Sequence, residues 1–176
     1  WDVLVPLVDV DASQWVSTAL LADLVPGLRV SGHRRGTKWL SVVAAAVRST
    51  SAPVVAVLDP RAEFDDAQLD ALVAQASAGA AVCAAHRAPD GTIDAVGAAD
   101  VGGDRPYALL SGLPGDDLAG LPESVDVPLL SGRTFSMPAA ILRRSLDTLD
   151  DGEPDALSAI SRTVRDELPL RALPRV

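Results

Sequence analysis

Aromatic side chains are scarce in this sequence: Phe, Trp and Tyr make up 3% of its 176 residues. Its core must therefore be built from Ala, Val and Leu, and the stacking platforms that grip single-stranded nucleic acid are not to be expected. Positive charge is also short, with 15 Lys and Arg against 24 Asp and Glu and a formal net charge of −9. Because a nucleic-acid footprint needs clustered excess cations, this balance argues against nucleic acid as a partner and leaves only local basic spots. A single cysteine, Cys83, permits no internal disulfide and no cysteine-rich zinc site. Its setting, GAAVCAA, suits a buried, inert thiol in a reducing compartment. No apolar run approaches the roughly 20 residues that span a bilayer, and the first residues lack the basic-then-apolar layout of a signal peptide. These shortages predict a cytoplasmic protein without a transmembrane segment.

What is abundant is aliphatic. Hydrophobic residues form 48% of the sequence, enough for one globular domain spanning residues 1–176. The apolar pattern alternates in kind along the chain. DVLVPLVD (Asp2 to Asp9) reads as a strand, and ASQWVSTALLADLV (Ala12 to Val25) as a helix closed by Pro26 and Gly27. LRVS (Leu28 to Ser31) is a short strand, and Thr37 to Thr50 a helix with Trp39, Val42, Val43 and Ala46 on one side. Val54 to Asp59, Ala67 to Gly79 and Ala80 to His86 continue as strand, helix and strand. This order predicts an α/β three-layer sandwich with a mostly parallel central sheet flanked by helices. Residues 87–128 break the pattern with PDGT, GGDRP, GLPGDD and GLPES, turn chemistry that predicts an irregular, surface-exposed, loop-rich middle segment with a functional or lid-like job. Regularity returns with DVPLL (Asp126 to Leu130), helices around Pro138 to Leu149 and Pro154 to Glu167, and a last strand, Leu168 to Leu173.

Several residues stand where chemistry is possible. Asp59 closes a strand suited to burial on both faces, and ligands of parallel sheets bind outside the carboxyl ends of strands. The plainer reading is an Asp-Pro turn. HRRGTK (His33 to Lys38) opens a helix, where backbone N–H groups and the dipole favour a diphosphate; otherwise it is a solvated basic turn. Glu153 and Asp155 stand at a helix start, where acids serve as caps or as a base. His86 reads as structural or surface rather than catalytic.

The succession of LRVSGHRRGTKWLSVVAAAVRSTSAPVVAVLDP, PDGTIDAVGAA, VDVPLLSGRTFSMPAAILRR and GEPDALSAISR resembles family 2 glycosyltransferases with the GT-A fold. VDVPLLSGRTFSMPAAILRR is its most specific stretch. The resemblance implies transfer of a sugar from a nucleotide-diphosphate sugar to a glycan or other hydroxyl acceptor. It implies Asp9 and Asp11 toward the nucleotide, Arg34, Arg35 and Gly36 toward its phosphates, Ser131, Gly132, Arg133 and Thr134 toward the acceptor, and Glu153 or Asp155 as base. The family's Asp-any-Asp pair binds Mg²⁺ or Mn²⁺, and here only Asp59 remains, because Arg61 stands in the second place. Either Glu63, Asp65 or Asp66 swings in to complete the metal site, or Arg61 itself contacts phosphate as a fixed cation. The acidic motif near Glu153 is blurred, and the amino-terminal part is short by about one βα unit. A catalytically degenerate binding or scaffolding module beside a protein partner or neighbouring domain is therefore the alternative reading. A lesser one is a nucleotidyltransferase, since the Arg-Gly-Lys spacing of residues 33–38 is similar to that of sugar-phosphate nucleotidyltransferases.

Overall fold

A computed structural model describes residues 1–8, 28–32, 38–62, 65–102, 105–149 and 155–175. Its central feature is a seven-stranded sheet. The strands that build it are β1 (Asp2–Leu7), β2 (Leu28–Gly32), β3 (Val54–Val57), β4 (Ala81–Ala84), β9 (Val125–Asp126), β10 (Phe135–Pro138) and β11 (Leu170–Leu173). They lie in the order β2-β1-β3-β10-β4-β11-β9. β1 pairs in parallel with β2 and β3, and β4 in parallel with β11. β10 is inserted antiparallel between β3 and β4, and β9 closes one edge antiparallel to β11. The sheet is mostly parallel as the sequence predicts. The insertion of β10 is what the sequence reading lacks, since it assigns no element between Leu130 and the helix around Pro138.

The side-chain alternation of the strands sorts the core into two layers. Leu4, Val55, Val57 and Cys83 point to one face, together with α1 (Trp39–Ser49), α3 (Ala139–Thr148) and α4 (Ala156–Val164) through Val43, Val47, Leu142, Ile160 and Val164. Val3, Val5, Val54, Ala56 and Val82 point to the other, where α2 (Asp66–Ser77) supplies Leu72, Val73 and Ala76. With so few aromatics, one pair dominates the larger layer: Trp39 and Phe135 meet edge to face, ring centroids 6.1 Å apart. No helix among the described residues is long and apolar enough to cross a membrane.

The middle segment is irregular but is not a surface excursion. It contains two short antiparallel ladders, β5 (His86–Arg87) with β6 (Ile93–Ala95) and β7 (Ala98–Ala99) with β8 (Tyr107–Ala108), and a 3₁₀ turn at Gly115–Gly120. Ile93, Val96, Leu118 and Val127 enter the larger core layer, which corrects the expectation of general exposure. Its turn residues satisfy backbone locally while its few aliphatics are driven inward. Within this segment, Val101, Tyr107, Leu110 and Leu113 present large apolar side chains to solvent.

Candidate functional site

The parallel strands β3, β4 and β11 all end at the same edge of the sheet, and a cleft of about 1000 Å³ opens there. The residues just past each strand line it. Asp59 and Arg61 come from the end of β3, Ala85, His86 and Arg87 from that of β4, and Pro174 and Arg175 from that of β11. Arg175 donates to the carbonyls of Ala119 and Leu121, fastening the end of β11 to the 3₁₀ turn.

Asp59 is 8% exposed, and its backbone is tied down by an N–H donated to Thr134 Oγ1 at 3.1 Å. Its carboxylate is gripped by its neighbour: Oδ1 accepts from the backbone N–H and the Nε of Arg61, both at 3.0 Å, and Oδ2 accepts from Nη2 at 2.7 Å. Burial pushes the carboxyl up, but the Arg61 bonds and the charges of Arg61 and Arg133 outweigh it and hold Asp59 below the usual carboxylate value. The same pairing raises Arg61 further. Asp59 is therefore both a strand-end turn residue and the partner of a cation that lines the cleft.

His86 forms part of the wall. Its Nε2 is buried without a hydrogen-bond partner, and burial lowers its pKa against the opposing pull of Asp94 and Asp59. The imidazole lies over Gly132, which has φ +79° and no room for a side chain. Of the four residues assigned to an acceptor, Ser131 and Thr134 are buried, their hydroxyls accepting from the N–H groups of Gly97 at 3.0 Å and Asp59 at 3.1 Å. Those hydroxyls are thus used inside the fold, whereas Gly132 and Arg133 are exposed.

Two of the acids expected to assist Asp59 stand at a helix start. Asp65 is the N-cap of α2, in a reciprocal capping box with Gln68. Asp66 occupies the first turn of that helix. Asp155 is the N-cap of α4, accepting from the N–H and hydroxyl of Ser158, and it does not line the cleft. Asp9, Asp11, Arg34, Arg35, Gly36, Glu63 and Glu153 lie outside the described residues. Among the described residues no group of three or more His, Cys, Asp or Glu side chains is placed to hold a metal ion. Asp59, engaged through both oxygens by a guanidinium, does not fit Mg²⁺ or Mn²⁺. Cys83 is fully buried and desolvation raises its pKa to about 11, so it takes no part.

His86, Arg87 and Arg175 line the cleft without being expected there from the sequence. The rule that singled out Asp59, a polar residue just past a buried strand, finds all three when applied to β4 and β11.

No protein-family model matches the sequence, and a search of curated proteins finds no match. Solved structures do share the fold. GalNAc-T7, crystallised with UDP, GalNAc and Mn²⁺, superposes with a TM-score of 0.68 at 14% identity, over 98% of this chain and 41% of that one. The 2-C-methyl-D-erythritol 4-phosphate cytidylyltransferase of Thermus thermophilus gives 0.56 at 14% identity, over 98% and 87%. A UDP-glucose pyrophosphorylase from Acinetobacter baumanii gives 0.53 at 17% identity, over 92% and 59%. The architecture is therefore the GT-A-like α/β fold, found in glycosyltransferases and nucleotidyltransferases alike, and this chain spans less than half of the glycosyltransferase it resembles.

Proposed function

We propose that this chain binds a nucleotide-diphosphate sugar and is the donor-binding domain of a glycosyltransferase-like enzyme acting on a glycan or other hydroxyl acceptor. The observation that carries the reading is the cleft at the carboxyl ends of β3, β4 and β11, where Arg61, Arg87 and Arg175 gather in a chain of net charge −9. Guanidinium groups match phosphate oxygens in geometry and charge, and a locally cationic cleft in an acidic molecule selects an anionic ligand. In this reading Asp9 and Asp11 face the nucleoside, Arg34, Arg35 and Gly36 the phosphates, Gly132 and Arg133 the acceptor, and Glu153 takes the acceptor proton. One observation favours a second reading, a non-catalytic binding module: Asp155, the other candidate base, is occupied as a helix cap.

The test is to incubate the chain with UDP-, GDP- and ADP-sugars plus glycan acceptors, and separately with CTP or UTP plus sugar phosphates, while following melting temperature and product. A ligand at a hundredfold excess over its Kd adds about 2.7 kcal/mol, roughly 5–10 °C in Tm for a chain of this size. Release of nucleoside diphosphate supports the proposal, and a Tm rise without turnover supports the binding module. Release of pyrophosphate from CTP or UTP identifies a nucleotidyltransferase instead. No Tm rise with any nucleotide overturns the nucleotide-binding reading.

A further inference from the structure

The nucleotide-binding reading above is the basis for a more specific inference about what neutralises the diphosphate. A hard divalent cation is held by carboxylate and other oxygens open to coordinate it. Asp59 has both oxygens committed to Arg61. A cation arriving at this carboxylate meets a fixed positive charge beside it, and the two repel each other in a site partly screened from water. Asp65 does not make up the deficit, because it is committed to the α2 cap.

The guanidinium is well placed for the opposite task. Arg61 carries five N–H donors on its guanidinium, of which the Nε and one Nη2 hydrogen are spent on Asp59, leaving about three. Its side chain is 63% exposed and lines the cleft. Held flat by a carboxylate whose own backbone is anchored to Thr134, this fork needs little reordering to meet two phosphate oxygens. Arg87 and Arg175 stand in the same cleft to share the charge.

We propose that the cleft binds a diphosphate without a divalent cation, with Arg61 meeting the ligand's charge and Asp59 serving as the positioning residue that holds the guanidinium in place. The arrangement inverts the part the strand-end carboxylate would play in a metal site. It orients a cation of the protein instead of coordinating one from solution.

Calorimetric titration of the full chain with UDP, GDP, ADP and inorganic pyrophosphate, first in EDTA and then in MnCl₂, tests this. The bound ligand is expected to show a Kd in EDTA within about threefold of that in Mn²⁺, and Arg61→Ala to weaken it by roughly 10- to 100-fold in EDTA. Arg61→Lys, which keeps the charge but not the fork, falls between the two. Asp59→Asn weakens binding too, yet adds nothing when combined with Arg61→Ala, whereas a purely structural effect of Asp59 would add. Melting curves of the unliganded variants confirm that each is folded. Binding that appears only with Mn²⁺, or a Kd indifferent to Arg61→Ala, overturns this inference and leaves nucleotide binding intact. Pyrophosphate bound in EDTA with the same Arg61 dependence, but no nucleoside diphosphate, upholds the anion site and overturns the nucleotide reading. No binding of any of the four ligands in either buffer overturns both.

Discussion

A methyl group added at Gly132 would stand 2.0 Å from Nε2 of His86, and the backbone there is left-handed. Two penalties fall on one position. The left-handed conformation costs an L-residue roughly 1–2 kcal/mol, and overpacking a further 1–3 kcal/mol. Gly132→Ala is therefore expected to destabilise the chain by about 2–5 kcal/mol in urea unfolding. The double variant Gly132→Ala with His86→Ala should recover the steric share and keep the conformational one, since residues in contact do not act additively. An additive pair would mean that the imidazole is not what Gly132 accommodates. Little of this was legible in the sequence, because SGRTF displays a glycine but not the histidine that lies over it, which arrives from the end of another strand. Asp59 was legible as a strand-end carboxylate for the converse reason: its position follows from the apolar run before it. The partner of that carboxylate was not, since an arginine two residues away reads equally as a counter-ion or as a ligand-binding group.

Among the described elements, those with a long apolar period follow from the sequence within a residue or two at most boundaries, while the helix expected over Ala12 to Val25 lies outside the described residues. Thr37 to Thr50 was expected as a helix and α1 runs Trp39–Ser49; Ala67 to Gly79 was expected and α2 runs Asp66–Ser77. β10 did not emerge. Its four residues, FSMP, are too few for a period to declare itself and end on proline, the residue that cannot donate to a ladder. The two-residue alternation was nonetheless there, with Phe135 and Met137 in the core and the Ser136 hydroxyl donating to the Val55 carbonyl at 3.0 Å. β10 carries the larger layer through Phe135, fully buried and in register with both Val57 and Cys83. Phe135→Ala should cost about 3–5 kcal/mol, because a core of Ala, Val and Leu has few bulky groups to collapse into the space. Phe135→Leu, closer in volume, should cost about 1.5 kcal/mol or less. A small loss for the alanine variant would mean that the core closes around the gap.

For the molecule as a whole, the alternation of strands and helices made the class legible, while the sheet order was not. Sequence neighbours are a poor guide once a late strand is threaded between two early ones: β3 and β4 both precede the middle segment, yet in the sheet they are joined through β10, which comes after it. The two halves of the polypeptide are thereby interlocked like the fingers of clasped hands. A single cut after the exposed Tyr107, 58% accessible in the middle segment, would leave each piece with an unfinished sheet. Chymotrypsin at low dose should thus yield two fragments that co-elute on gel filtration and melt in one transition, and fragments that separate without denaturant would contradict the clasp. Expressed apart, each half should be insoluble, and mixed during refolding they should complement each other. That makes the short, exposed strand β8 at Tyr107 a natural place to divide the protein for a reconstitution assay in which assembly itself is the signal.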